Sequence, residues 1–113
     1  MKFYLSVIVI STLLNNQCQK GSVDIPECVQ RKIDSIKAEP KWNPPAEVSE
    51  FIYKKKRAYL FTSNCCDQYT LLYDGYCSPI CAPSGGIAGK GDGKCADFYE
   101  AATFVRSVWK DNR

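Results

Sequence analysis

The first segment with a clear hydrophobic period after residue 23 has its apolar side chains at helical spacing. These side chains are Ile25, Val29, Ile33 and Ile36. Residues three to four apart lie on one face of a helix, so the pattern predicts an amphipathic helix. Asp24 has the chemistry of an N-cap, with Pro26 in the first turn and Glu27 as its capping-box partner. Pro40 cannot continue a helix and therefore sets its C-terminal limit.

The next hydrophobic runs have the composition of strands. Residues 48–53 and 57–62 are rich in aromatic and branched side chains, and lysines lie between them. This pattern predicts a hairpin with a basic tip, which is either a solvated turn or a contact for phosphates of lipids or for polysaccharides. Residues 68–73 predict a third strand, followed by an Asp-Gly turn. Pro79 lacks a backbone N–H, so the segment around it is an edge strand or a loop.

The last hydrophobic pattern also has helical spacing. Its apolar members are Phe98, Ala101, Ala102, Val105, Val108 and Trp109. Asp97 and Glu100 have capping-box spacing, so the pattern predicts a C-terminal helix. The element order predicts one α+β domain over residues 24–113. In that domain, an N-terminal and a C-terminal helix pack on a small antiparallel sheet of three to four strands, and disulfides cross-link the elements.

Residues 1–17 have the pattern of a secretory signal peptide. Lys2 supplies a positive n-region, and the mostly apolar residues 3–14 are too few to span a hydrocarbon core of about 30 Å. The mature protein would begin near Cys18, with residues 18–23 as a tether. We therefore expect an exported protein on the periplasmic or cell-surface side of a bacterial envelope.

Cys18 follows this leader in a sequence that resembles a bacterial lipobox. The pattern departs from a lipobox twice, because Leu14 lies four residues before the cysteine and Gln17 stands where a small residue is usual. Cysteine parity nonetheless favours lipidation, since modifying Cys18 leaves six cysteines for three bridges. We expect a lipid at Cys18 to anchor the protein to a membrane. The alternative is that Cys18 is lost with the leader or stays free in a tail.

The other six cysteines predict a disulfide framework. They are Cys28, Cys65, Cys66, Cys77, Cys81 and Cys95. The leader favours disulfides over a four-thiolate zinc site, and adjacent cysteines do not make a zinc knuckle. Six cysteines can pair in 15 ways, and excluding a bond between the adjacent Cys65 and Cys66 leaves 12. A redox role for that pair, or for Cys77 and Cys81, is the less favoured alternative to structural bridges.

Charge and composition exclude several function classes. From Cys18 onward the chain has 14 basic and 12 acidic residues, and a net charge of +2 is too small for nucleic-acid binding. The chain has no histidine, which excludes Ser-His-Asp triads, Cys-His dyads and histidine-bearing metal sites. We therefore expect a monomeric, non-enzymatic envelope domain without a cofactor, which binds a protein or glycan partner or has a structural role.

Asp67 and Asp92 form the candidate polar site. Asp67 follows two adjacent cysteines, and Asp92 lies in the glycine-rich segment 85–93. We predict that the Asp67 carboxylate accepts hydrogen bonds from backbone amides of this segment. The alternatives are a calcium site and a hydrolase that uses the two carboxylates as acid and base. A small secreted protease inhibitor, with residues 77–83 as its exposed loop, is a further alternative.

Four motifs carry a resemblance to a known family. They are C-C-D-x-[YF] at residues 65–69, L-Y-D at 72–74, C-A-P-S-G-G at 81–86 and G-D-G-x-C-x-D-F at 91–98. This pattern resembles a domain-of-unknown-function family of small exported, lipoprotein-like bacterial proteins. The resemblance extends from about Ile25 to Trp109, nearly all of the mature chain. It implies an exported domain of that extent, and the family carries no established activity to transfer.

Overall fold

The computed structural model of the protein describes residues 24–113. The predicted signal peptide (1–17), the lipidation site Cys18 and the tether (18–23) lie outside the described residues. Within residues 24–113, neither helix has the length and apolar character of a membrane span.

Five antiparallel strands form a single sheet, whereas the sequence pattern predicts three to four. They are β1 (Glu47–Tyr53), β2 (Lys56–Phe61), β3 (Tyr69–Asp74), β4 (Pro79–Gly85) and β5 (Thr103–Lys110). Their spatial order is β4-β3-β2-β1-β5, so consecutive strands are hairpin neighbours except for β5. Pro79 begins the edge strand β4, which confirms the expectation that a strand at this position lies at an edge.

The predicted C-terminal helix is wrong. The segment contains only a short helix, α2 (Phe98–Ala101), after which the chain becomes extended and forms β5. Strand β5 pairs with the open edge of β1, and Phe104 lies opposite Phe51. Two physical effects override the helical spacing. Residues 103–105 are consecutive strand formers, and β1 has a second row of backbone N–H and C=O groups that needs partners.

The N-terminal helix, α1 (Glu27–Lys37), covers one face of the sheet. Three of the predicted apolar positions are buried in it: Val29, Ile33 and Ile36. They pack against Val48, Tyr59 and Phe61 of β1 and β2. The predicted N-cap is wrong, because α1 begins after Pro26 and no side chain caps it. Proline at this boundary has the φ value that a first turn needs, which explains the later start.

The opposite face is covered by the segment between β4 and β5. Phe98 of α2 is completely buried there, and its ring makes edge-to-face contacts with Phe51 and Tyr53. The Tyr53 hydroxyl donates a hydrogen bond of 2.6 Å to Asp97, and this bond, with burial, raises the pKa of Tyr53. The predicted helix N-cap role of Asp97 is therefore replaced by a tertiary hydrogen bond, since no side chain caps α2.

Two disulfides join elements that are distant in sequence. Cys28 of α1 is bonded to Cys77 in the β3–β4 turn, with their Cα atoms 6.0 Å apart. Cys81 of β4 is bonded to Cys95 before α2, with a Cα separation of 6.1 Å. The first bridge holds the helix on its face, and the second holds the covering segment on the other. Disulfides of this kind indicate an oxidising compartment.

The third disulfide corrects a prediction. Cys65 and Cys66 are bonded to each other, although the sequence argument excluded this pairing because adjacent Cα atoms are closer than disulfides usually require. Cys66 has a φ of 54°, in the left-handed region, and lies in a turn of the β2–β3 loop. This turn brings the two side chains together. In an extended chain, adjacent side chains would point to opposite faces.

The β1–β2 hairpin confirms the sequence prediction closely. Tyr53 pairs with Lys56, so Lys54 and Lys55 are the two turn residues. Both have positive φ, at 50° and 65°, as the favoured two-residue hairpin turns require. The basic tip is therefore a tight turn. Its two lysines adopt the left-handed conformation although their Cβ atoms make that conformation energetically unfavourable.

Candidate functional site

A groove of about 330 Å³ lies beside α1 on the helix-covered face of the sheet. Its apolar wall consists of Ile36, Trp42, Phe61, Tyr69, Leu71 and Tyr73. The groove exists because α1 packs over β1 and β2 and leaves the β3 end of this face uncovered. Tyr69 and Leu71 consequently remain 47% and 38% exposed, although they point from the same face as the core residues Tyr59 and Phe61.

Three contacts hold the aromatic side chains of the groove in place. The Trp42 indole N–H donates a hydrogen bond of 2.8 Å to the Glu39 carboxylate. Phe61 and Tyr73 meet edge to face, with ring centroids 5.4 Å apart. The Lys32 ammonium lies 4.3 Å from the centroid of the Tyr73 ring, within cation–π range. The wall is therefore an ordered aromatic surface.

Gly85 and Gly86 of the glycine-rich segment pack closely against Tyr69 and the backbone beside it. Gly86 has a φ of 79°, and a Cβ at this position would lie 2.6 Å from Cε1 of Tyr69. A Cβ on Gly85 would lie 2.3 Å from the backbone oxygen of Gln68. Only glycine allows both approaches, so the paired glycines of the C-A-P-S-G-G motif set the position of the β3 end of the groove.

The rim of the groove carries neutral polar groups. Hydroxyl and amide side chains come from Ser35, Thr62, Ser63, Asn64 and Gln68. The Thr62 hydroxyl accepts a hydrogen bond of 2.9 Å from the Glu47 amide. The side chains of Asn64 and Gln68 lie on this rim, and both residues are exposed. Among residues 24–113, Lys32 is the one charged residue that lines the groove.

A second polar cluster lies on the same face, nearer the N-terminus of α1. Glu50 is buried, and its carboxylate accepts hydrogen bonds from Arg57 at 2.9 Å and Arg106 at 3.1 Å. Burial acts to raise the pKa of Glu50, but the two guanidinium groups outweigh it and the pKa lies below its ordinary value. Beside it, burial and then the Glu50 carboxylate raise the pKa of Tyr59 to about 12. Both groups therefore hold one protonation state at neutral pH.

The sequence argument missed Glu50. Its register gives the signal that could have found it, because Glu50 alternates with the buried Val48 and lies opposite Tyr59. A carboxylate at a core-facing strand position needs a cationic partner. The cluster supplies two such partners for the Glu50 carboxylate, Arg57 and Arg106. We assign it to stability.

The two carboxylates of the candidate polar site lie in different segments of the chain. Asp67 is exposed on the β2–β3 loop, and Asp92 lies after β4 with its carboxylate accepting the Lys94 amide at 3.0 Å. The predicted acceptor for the glycine segment is wrong: the Gly86 amide donates at 3.3 Å to the backbone oxygen of Gln68, and not to the Asp67 side chain. Neither carboxylate lines the groove.

The calcium and protease-inhibitor alternatives also lack support in their predicted positions. Among the described residues, no cluster of three carboxylate, cysteine or histidine side chains could hold a metal ion. The predicted inhibitor loop, residues 77–83, instead enters β4, where Cys81, Ala82 and Pro83 are buried. Residues 78–80 of the same segment are exposed, so its two halves differ in their accessibility to a partner.

Most of the domain that the structure describes matches a known protein family. A family model described as a domain of unknown function, DUF6970, matches residues 34–111. The chain belongs to this family. The DUF6970 match includes the end of α1 and all five strands, and it contains every residue of the groove except Lys32. No curated protein and no solved structure matches the chain.

Proposed function

We propose that this DUF6970 protein is an exported, non-enzymatic binding module, held to a bacterial envelope through a lipid at Cys18, and that the groove is its ligand site. One observation carries the assignment of the site. Tyr69 and Leu71 expose large apolar surface on a sheet face whose neighbouring positions are core. Exposed apolar patches rimmed by polar groups mark binding sites in soluble domains. The disulfides support the oxidising compartment that export provides.

The chemistry of the groove favours a glycan as the ligand. A sugar ring has apolar C–H faces, which stack on aromatic side chains, and a polar edge, which hydrogen-bonds to amides and hydroxyls. The groove presents the aromatic side chains of Trp42 and Tyr69 together with the amides of Asn64 and Gln68. A purely apolar ligand such as an acyl chain would leave those amides without partners, which costs free energy on burial. The single ammonium group, Lys32, already contacts Tyr73, which disfavours a strongly anionic ligand.

Isothermal titration calorimetry tests this function. The probes are tetrasaccharides of N-acetylglucosamine and of glucose, titrated into the purified full chain. We expect a dissociation constant of about 1 mM or tighter for at least one probe, since a free energy near −4 kcal/mol is within reach of a site of this size. No heat of binding from either probe at millimolar concentration would contradict the glycan assignment.

Two variants separate groove binding from adventitious binding. Tyr69→Ala removes the exposed aromatic wall and should weaken binding roughly tenfold, or about 1.4 kcal/mol. Tyr76→Ala is the matched control, because Tyr76 is 90% exposed and does not line the groove. Equal affinities for the two variants would show that a glycan binds elsewhere.

A further inference from the structure

The three disulfides of this domain differ sharply in their exposure. Cys81 and Cys95 are 5% and 3% exposed, so an external thiol cannot reach their bond without local opening. Cys28 and Cys77 are half-buried between α1 and the β3–β4 turn. Cys65 and Cys66 are both exposed on the β2–β3 loop. Accessible disulfides exchange with thiols more readily than enclosed ones.

The disulfides also differ in what they hold together. The bonds from Cys28 and from Cys81 join residues 49 and 14 positions apart, and they connect separate elements. The bond between Cys65 and Cys66 joins adjacent residues. A bridge restricts the unfolded chain according to the length of the loop it closes, so a bond that closes no loop constrains the fold very little. Its reduction therefore leaves the sheet and both helices in place.

We propose that Cys65–Cys66 is a thiol–disulfide exchange site that takes dithiols as its reaction partners, while the other two disulfides are structural. In the reaction, a dithiol thiolate attacks one of the two sulfurs and forms a mixed disulfide. The bond between the two cysteines breaks, and the second sulfur leaves as a thiolate and takes up a proton. The second thiol of the partner, as its thiolate, then attacks the partner sulfur of the mixed disulfide, so that an intramolecular disulfide forms in the partner. The bond to the protein cysteine breaks, and that cysteine leaves as a thiolate and takes up a proton. The protein gains two electrons and two protons, and the dithiol becomes a disulfide.

The position of the site gives the exchange a consequence for the groove. Cys65 and Cys66 lie between Asn64 and Gln68, whose side chains form part of the groove rim. The bond is a covalent constraint on the turn in which Cys66 has a φ of 54°, a conformation that non-glycine residues rarely adopt. Reduction removes this constraint from the rim segment. Ligand affinity should therefore differ between the oxidised and the reduced protein. This consequence rests on the proposed function, whereas the exchange reaction itself does not depend on it.

Selective reduction of the native full chain tests the exchange site. The protein is incubated with increasing dithiothreitol, alkylated with iodoacetamide, and each cysteine is assayed by peptide mass spectrometry. We expect Cys65 and Cys66 to be alkylated together, at least tenfold faster than the four cysteines of the other two disulfides, with no change in far-UV circular dichroism. A Cys65→Ser/Cys66→Ser double variant should fold and lack this fast phase.

Three results would overturn the proposal. One is reduction of all three disulfides in a single phase with loss of the fold, and another is reduction of Cys28–Cys77 first. The third is alkylation of Cys65 and Cys66 without any reductant, which would show two free thiols.

A calorimetric comparison of the oxidised and selectively reduced protein with the same tetrasaccharides tests the consequence for the groove. Equal affinities in both states would refute the coupling, and binding by neither state would refute the proposed function while leaving the exchange result unaffected.

Discussion

Replacing Glu50 with glutamine tests whether the buried carboxylate holds its two arginines as the structure indicates. The substitution keeps the side-chain volume and removes the charge. Arg106 is 22% exposed, so its charge-assisted hydrogen bond should contribute about 1.5–3 kcal/mol. Arg57 is 45% exposed and its contribution is screened to roughly 0–1 kcal/mol. The amide oxygen still accepts one hydrogen bond of about 1 kcal/mol, so we expect a net loss of roughly 0.5–3 kcal/mol.

The difference in unfolding free energy between wild type and Glu50→Gln should depend on pH in a defined direction. The pKa of Glu50 is lowered in the folded protein, so its stabilisation is complete above the ordinary pKa of 4.5 and disappears as pH falls through the lower folded value. Urea unfolding of wild type and Glu50→Gln should therefore differ most at neutral pH and converge in strong acid. A difference that is constant with pH, or below about 0.5 kcal/mol at neutral pH, would refute the reasoning.

A matched control uses the exposed ion pair on α1. Glu27 accepts a hydrogen bond from Arg31 one helical turn away, and both side chains are more than three-quarters exposed. Glu27→Gln removes the same charge from a solvated position, so the expected change is within about 0.5 kcal/mol. If this variant lost as much stability as Glu50→Gln, general charge effects would explain both.

Three further changes have defined outcomes. Lys55→Gly removes a Cβ from a turn residue with a φ of 65° and should raise the unfolding free energy by about 0.5–1 kcal/mol; a loss of stability would mean that the lysine side chain has a role in the fold. Phe98→Ala empties the centre of the second core cluster and should cost about 3–5 kcal/mol in urea unfolding; a cost under 1 kcal/mol would show that this core is loose. Cys18→Ser should move the protein from the membrane pellet to the soluble fraction of cells, and a soluble wild type would refute the lipid anchor.

Local patterns predicted the elements whose partners lie close in sequence. The apolar spacing of Val29, Ile33 and Ile36 identified the face of α1, and the strand runs around Lys54 and Lys55 identified the first hairpin. In both cases the sequence period matches the structure because neighbouring residues form the element. Pro79 likewise marked an edge strand correctly, since the missing N–H is a local property.

The errors came from non-local effects. The segment that became β5 has helical spacing, but its state depends on the open edge of β1, more than 50 residues earlier. The excluded Cys65–Cys66 bond depends on a left-handed residue, which spacing alone does not reveal. The hydrophobic pattern of the sequence also did not predict the groove, because the groove arises where α1 stops short of β3. Such features depend on how far one element covers another.

Backbone amide NMR can detect binding of a glycan in the groove between α1 and β3 residue by residue. The N-acetylglucosamine tetrasaccharide is titrated into ¹⁵N-labelled full chain, and the shifts are mapped by residue. We predict saturable shifts for the amides of Asn64, Gln68 and Tyr69 and for the indole N–H of Trp42, with the amide of Phe98 on the opposite face unchanged. Unchanged groove signals at millimolar tetrasaccharide, or shifts confined to the Phe98 face, would contradict the account.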